Sequence, residues 1–177
     1  DANKGTFGKA MIAAGSLSYT GAAGLAGGSC GRAGAGLVTL AVPEVLHAAL
    51  APSLPEVTWL LLPTDHGTHC QAGVQALLDG LANYQALLVG PGLTRQPAAQ
   101  AFVERIFGPG GLPLDAWRGR VVADADALNI LSTLPDWPAR LPPETVLTPH
   151  PGEMGRLTGQ SAADVNRNRI AQARQWA

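Results

Sequence analysis

Apolar residues in this chain fall in short blocks whose spacing switches between strand and helix periods. Residues 9–14 (KAMIAA) form a compact apolar run closed by Gly15-Ser16. Residues 20–33 read as a small-residue helix rich in Ala and Gly. Residues 37–42 (LVTLAV) read as a strand stopped by Pro43, and residues 44–50 as a short helix. Residues 57–62 (VTWLLL) predict a second buried strand. Val74, Leu77, Leu78 and Leu81 recur at helical spacing within 71–83, and 86–89 is a strand entering Gly90-Pro91-Gly92. Residues 97–107 predict a helix with Pro97 in its first turn, where proline is tolerated. Strands at 120–123 and 145–147 lead into Asp124/Asp126 and into Thr148-Pro149-His150-Pro151-Gly152-Glu153. A last helical pattern, capped by Ser161 with Asp164 three residues on, runs to Ala177.

Strands alternating with helices imply βαβ units, an α/β class and a mostly parallel sheet. The strands are continuous apolar runs, as expected when both faces of the sheet are covered. In such sheets ligands bind beyond the carboxyl ends of the strands. Gly15-Ser16, Gly90-Pro91-Gly92, Asp124/Asp126/Asn129 and residues 148–153 each follow a strand, so unusual residues from separate segments are expected on one rim. The Gly/Pro-rich stretches 108–117 and 134–143 read as exposed loops, too short to link domains.

Composition narrows the function classes. Apolar residues are 46% and charged residues 14% of the 177, which excludes a disordered charged tail. Gly 22 and Pro 14 follow no period of three, which excludes a collagen-like chain. A net charge of −1 without a basic cluster gives no footprint for nucleic acid or a lipid headgroup surface. No apolar run is long enough to span a membrane. Two cysteines make no disulfide framework and fit a reducing interior. With no signal-peptide pattern at the start, a cytoplasmic location is expected. The chain begins at Asp1 and stops at Ala177 inside a helical pattern without a stop signal, so a piece of a longer protein is expected.

Several clusters could carry chemistry. Gly5-Thr6-Phe7-Gly8-Lys9 and the segment Gly15 to Gly21 would let a ligand approach the backbone, near free N–H groups at a helix start. The spacing is not a Walker A motif, and Gly34-Ala35-Gly36 lies after a helix, where it reads as a C-cap. Gly90-Pro91-Gly92 is either a tight turn or a bare surface for a flat ligand. Asp124, Asp126 and Asn129 either cap the following helix or meet substrate hydroxyls or hydrated Mg²⁺. His150 is fixed between two prolines, as a turn residue or as a ligand contact. Glu153 stands in the first turn of a helix, where a carboxylate is favoured. Asp65, His66, His69 and Cys70 carry metal-ligand chemistry, but in one short loop without a second ligand pair. Phe7 and Tyr19 are the aromatics near the rim, for stacking on a base or for core packing.

Six of these segments occur in a fixed order over residues 3–154: Asn3-Lys4-Gly5-Thr6-Phe7-Gly8; Ala14-Gly15-Ser16 with Tyr19-Thr20-Gly21-Ala22; Arg32 to Val38; Val89 to Leu93; Asp124 to Asn129; and Leu147 to Met154. Together they resemble the ADP/ATP-dependent NAD(P)H-hydrate dehydratases, a carbohydrate-kinase-like family of ribokinase-type, three-layer fold. The resemblance makes residues 1–177 a partial domain of that kind, incomplete at its C-terminal side. It implies a repair reaction in which a nucleotide, ADP or ATP, phosphorylates the hydroxyl of (S)-NADH or (S)-NADPH hydrate and phosphate then leaves.

The resemblance maps substrate-binding positions onto Ala22, Gly92 and His150, with Gly90 as close neighbour. Asp126 and Asn129 join them from the reading of the acidic cluster. Glu153 matches an acidic residue near hydrated Mg²⁺. Family members are often fused to an NAD(P)H-hydrate epimerase domain and often form homo-oligomers. Asn3 stands where the family commonly has His. The family's Lys-Gly nucleotide loop after a further strand, and the Gly-Thr-Gly-Asp carrying the expected catalytic base, do not occur in residues 1–177. No catalytic residue is therefore expected in this chain. The alternatives are a vitamin-precursor kinase of the same fold and a non-catalytic binding module.

Overall fold

A computed structural model describes residues 6–112 and 117–177. Asn3, Lys4 and Gly5 of the first motif, and part of the 108–117 loop, lie outside the described residues. The elements are β1 (Lys9–Ala13), α1 (Thr20–Arg32), β2 (Leu37–Pro43), α2 (His47–Leu50), β3 (Thr58–Leu62), β4 (Thr64–Asp65), β5 (Thr68–His69), α3 (Val74–Gly80), β6 (Ala86–Val89), α4 (Pro97–Ile106), β7 (Arg120–Ala123), α5 (Asp126–Leu131), β8 (Val146–Leu147), α6 (Pro151–Thr158), α7 (Ala162–Arg167) and α8 (Arg169–Trp176).

Six strands pair in the order β3-β2-β1-β6-β7-β8, and every pair is parallel. The register is regular: Ile12 lies beside Leu40 on one side and Leu88 on the other. Successive side chains point to opposite faces, so each central strand feeds two cores. Met11, Ala13, Leu87, Val89, Val121 and Ala123 meet α3, α4 and α5 through Leu77, Phe102, Val103, Ile106, Leu128 and Leu131. Ile12, Ala14, Val38, Leu40 and Val42 face the other way, against Ala23 of α1 and Leu46, Leu50 and Leu54. The result is the three-layer α/β arrangement with a parallel central sheet.

The chain runs outward from β1 to β2 and β3, returns to the far side of β1 as β6, and runs outward again to β7 and β8. The order reverses between β1 and β6. In a doubly wound sheet that reversal opens a crevice beyond the strand ends, the usual seat of a ligand.

Four expectations need correction. The 57–62 strand is β3 at the sheet edge, with Leu61 exposed, because only β2 lies beside it. The helices at 44–50 and 71–83 are short α segments continued by 3₁₀ turns at Glu44–Leu46, Ala51–Ser53, Gln71–Gly73 and Leu81–Asn83. The 65–70 loop contains a two-strand hairpin, β4 with β5. The terminal helix capped by Ser161 divides at Asn168, whose φ of −143° and ψ of 50° are not helical. Asparagine competes with the helix for its own backbone, and α8 buries no residue that would hold one continuous axis. Among the described residues, no helix is long and apolar enough to cross a membrane.

The hairpin buries His69 completely, tilted against Phe102 with ring centroids 4.7 Å apart. Its Nε2 lies 3.2 Å from the Ala14 carbonyl, which can only accept, so Nε2 carries the proton and Nδ1 is left without a partner. Burial lowers its pKa from 6.5 to about 4, against a smaller opposing effect of the Ala14 hydrogen bond. The unfolded chain therefore binds a proton that the folded chain refuses between these values, and stability is lost as pH falls from 6.5 toward 4. We expect a loss of roughly 3 kcal/mol between pH 6.5 and 4 from this residue. Urea midpoints across that range, compared between the parent and His69→Gln, check it; an equal slope in both would refute it. Phe102→Ala should cost about 3–5 kcal/mol at neutral pH through the cavity it leaves, seen as a lowered midpoint at unchanged slope.

Candidate functional site

The parallel strands deliver their following loops to one edge of the sheet, and hydrogen bonds join those loops in sequence across it. Gly15 N–H donates to the Pro91 carbonyl at 2.8 Å, bridging the crevice between β1 and β6. Gly90 has φ +137°, and a Cβ there would lie 1.8 Å from the Asp124 carbonyl oxygen. Only glycine lets the loop after β6 lie this close to the loop after β7. Gly92 has φ +69°, and its missing Cβ would fall 2.7 Å from Ala22 Cβ. The Thr148 hydroxyl donates to Asp124 Oδ1 at 2.8 Å, bringing in the loop after β8.

Asp124 and Asp126 do not cap α5. Its N-cap is Ala125, without a side-chain bond and at φ +51°. Asp126 Oδ2 instead accepts from the Thr94 N–H at 2.9 Å, and Thr94 itself has φ +73°. Two non-glycine residues thus hold left-handed backbone side by side, a strain that persists where surrounding structure over-determines it and that clusters at functional sites. Asn129 Oδ1 accepts from Arg156 Nε at 2.8 Å, which ties α5 to α6.

His150 and Glu153 form a reciprocal cap on α6. His150 Nδ1 accepts from the Gly152 N–H at 3.0 Å, and the His150 N–H donates to Glu153 Oε2 at 3.0 Å. Because Nδ1 accepts, the proton sits on Nε2, which lies 3.2 Å from Glu153 Oε1. Nδ1 and Oε2 are thereby hydrogen-bonded, while Nε2 and Oε1 stand near each other without a hydrogen bond. The His150 side chain is nevertheless 62% exposed, offering its ring surface outward, while that of Glu153 is 7% exposed.

Two cavities open near this edge. One of about 460 Å³ is lined by Tyr19, Thr94, Arg95, Gln96, Asp126, Asn129 and Arg156. The other, about 1170 Å³ and mainly apolar, runs past Trp137, Leu141, Leu147, His150, Met154 and Trp176. Ala22 and Gly92 meet, Gly90 meets Asp124, and Asp126 and Asn129 share the smaller cavity. His150 stands one loop further along the edge and faces the larger cavity. The sequence reading passed over Thr94, Arg95, Gln96 and Arg156. Their signal was position: Arg95 three residues after Gly92, and Arg156 one helical turn after Glu153. Tyr19 lines the smaller cavity, as its place near the rim suggested; Phe7 is exposed and lines neither. His66 is exposed beside Asp65 while His69 is buried, and among the described residues no three His, Cys, Asp or Glu side chains gather as a metal site.

A doubly wound parallel sheet with a glycine-lined crevice at its reversal defines the α/β class that binds nucleotides and their relatives. Residues 10–177 match the family model described as NAD(P)H-hydrate dehydratase, and the chain belongs to that family. It is 38% identical over 176 residues to the bifunctional NAD(P)H-hydrate repair enzyme Nnr of Moorella thermoacetica, covering 99% of this chain and 32% of that protein. It is 32% identical over 177 residues to the ADP-dependent (S)-NAD(P)H-hydrate dehydratase of Bacillus subtilis, covering 100% of this chain and 56% of that one. The crystal structure of the ADP/ATP-dependent NAD(P)H-hydrate dehydratase from Bacillus subtilis, co-crystallised with ATP/Mg²⁺, superposes with a TM-score of 0.71 at 28% identity. That match covers all of this chain and 56% of the other, and the sheet is the ribokinase-type sheet expected from the sequence resemblance. The chain thus spans between a third and just over half of these relatives.

The cap and the exposed ring of His150 can be separated experimentally. His150→Ala should destabilise by about 0.5–2 kcal/mol through loss of the cap, whereas His150→Asn, which can still accept from the helix N–H, should stay within a few tenths of the parent. Denaturant midpoints of the two variants decide; equal losses would show that the cap is not the source.

Proposed function

We propose that this chain supplies the substrate-holding part of an ADP- or ATP-dependent (S)-NAD(P)H-hydrate dehydratase, a lyase of nicotinamide nucleotide repair. The observation that carries the reading is the crevice at the reversal between β1 and β6, where Gly90 and Gly92 let the rim loops close on one another next to the Asp126–Asn129 cavity. Family membership and the Bacillus subtilis relatives give the chemistry.

Ala22 and Gly92, both half-buried, would let the flat hydrated ring lie against backbone, and the buried Gly90 would hold their loop in place. Asp126 and Asn129 would read its ribose hydroxyls, and His150, with its side chain 62% exposed, would meet the nucleotide with its ring. The donor nucleotide would arrive with Mg²⁺, which neutralises charge on the transferring phosphoryl group. Glu153 would orient the ion's water shell. Phosphoryl transfer also needs a base at a helix N-terminus, for which the family's Gly-Thr-Gly-Asp is the expected source, and residues 1–177 do not include it. A cytoplasmic setting and fusion to an epimerase domain complete the proposal, the latter in keeping with the bifunctional relative.

The 177-residue chain alone should give no recovery of reduced-nicotinamide absorbance from the hydrates with ADP or ATP; turnover well above a blank would refute this. A chimera joining it to the Gly-Thr-Gly-Asp-bearing part of the family domain should turn over. In that chimera, both His150→Ala and His150→Asn should lower kcat/KM by roughly ten- to a hundredfold, mainly through KM. Unchanged kinetics in the Asn variant would sink the contact assigned to His150.

A further inference from the structure

The smaller rim cavity holds two cations with no carboxylate partner. Among the described residues, neither Arg95 nor Arg156 forms an ion pair. Arg95 follows the left-handed Thr94 just before α4, and its guanidinium meets no acceptor among the described residues; only its backbone carbonyl is used, by Gln100. Arg156 projects from α6, and its single bond, Nε to Asn129 Oδ1 at 2.8 Å, aims the guanidinium while leaving its terminal nitrogens open. Tyr19 and Gln96 line the same cavity. The one acid in the lining, Asp126, already accepts from the Thr94 N–H and lies 3.5 Å from the Asn129 amide.

We infer that Arg95 and Arg156 form a diphosphate subsite that grips the phosphate bridge of the dinucleotide substrate. Two guanidinium groups at one cavity repel each other unless an anion lies between them. Their planar forks match phosphate oxygens in pairs of hydrogen bonds, which an ammonium group does not do. The volume of about 460 Å³ is within the usual range for small-ligand pockets, roughly 300–1,000 Å³. The cavity shares Asp126 and Asn129 with the hydroxyl-reading positions and reaches Tyr19, whose Cβ would lie 2.9 Å from a Cβ on Gly92. A diphosphate here would therefore join a ring lying at the glycines to a ribose beside Asp126. The assignment rests on the dehydratase reading for the identity of the dinucleotide and on the two arginines for its charge.

Arg95→Ala is the clean variant, because its side chain holds nothing together among the described residues; Arg156→Lys keeps charge while losing the fork. Inorganic pyrophosphate and NADH are titrated into the 177-residue chain by calorimetry at low and high salt, and ADP is tested as a competitor. Both ligands should bind, compete with each other and weaken with salt. Arg95→Ala should weaken both by roughly tenfold or more, and Arg156→Lys should weaken them less, at unchanged melting temperature. ADP should displace NADH about tenfold more weakly than pyrophosphate and NADH displace each other. Absence of pyrophosphate binding to the parent, or parental affinity in both variants, overturns the subsite. ADP competing as well as NADH moves the arginines to the donor nucleotide and overturns the assignment to substrate. Turnover by the chimera keeps the two readings apart. Arginine-dependent binding with an inactive chimera removes the dehydratase reading alone, and an active chimera whose KM ignores both arginines removes the subsite alone.

Discussion

The loop after β6 can lie on the loop after β7 only because Gly90 has no side chain. A single methyl group there would stand 1.8 Å from the Asp124 carbonyl oxygen, closer than any packing tolerates. Other contacts along the rim build outward from this approach. Gly90 N–H donates to Ala13, Gly15 N–H donates to Pro91, and Thr148 reaches Asp124 from the next loop. Loops that would otherwise move independently become a continuous backbone surface, positioned by a rigid parallel sheet. That is the condition a site needs in order to hold a ligand without ordering itself at the moment of binding.

The same residues serve structure and site at the far end of the rim. His150 and Glu153 satisfy N–H groups at the start of α6 that would otherwise be orphaned, which occupies Nδ1 of the imidazole and one carboxylate oxygen. The imidazole itself stays largely exposed. Asp126, Asn129, Arg95 and Arg156 line the smaller cavity together. A formal charge of −1 for the whole chain gives no sign of an anion site, and it does not reveal that two of the cations stand at one cavity. Net charge is a sum, and binding depends on where its terms are placed.

The family match runs over residues 10–177, nearly the whole chain, but over only part of its relatives. The chain covers the whole run of rim motifs and 56% of the Bacillus subtilis enzyme. Holding a substrate and transferring a phosphoryl group are separable demands. The first needs shape and hydrogen bonds along the rim, whereas the second needs a base and charge neutralisation at the reacting oxygen. The features described in this chain bear on the first demand alone.

Much was legible in the sequence because it is local. Continuous apolar runs of four to seven residues ending in Gly or Asp announce buried parallel strands, and their alternation with helices announces the class. The order of the six motifs carried the family. The sequence did not disclose that β3 is an edge, that Asn168 breaks the last helix, or that Asp124 and Asp126 would leave their helix uncapped and turn to Thr148 and Thr94. Those outcomes depend on which strand lies beside which, and on groups brought close from 24 and 32 residues away. The pairing of Arg95 with Arg156 is of the same kind. Each is an unremarkable exposed arginine by its neighbours in the chain, and only the packing of α6 against α5 brings the second to the loop that carries the first. Periodicity records what a residue's own element needs, whereas a site is made by elements that never meet in sequence.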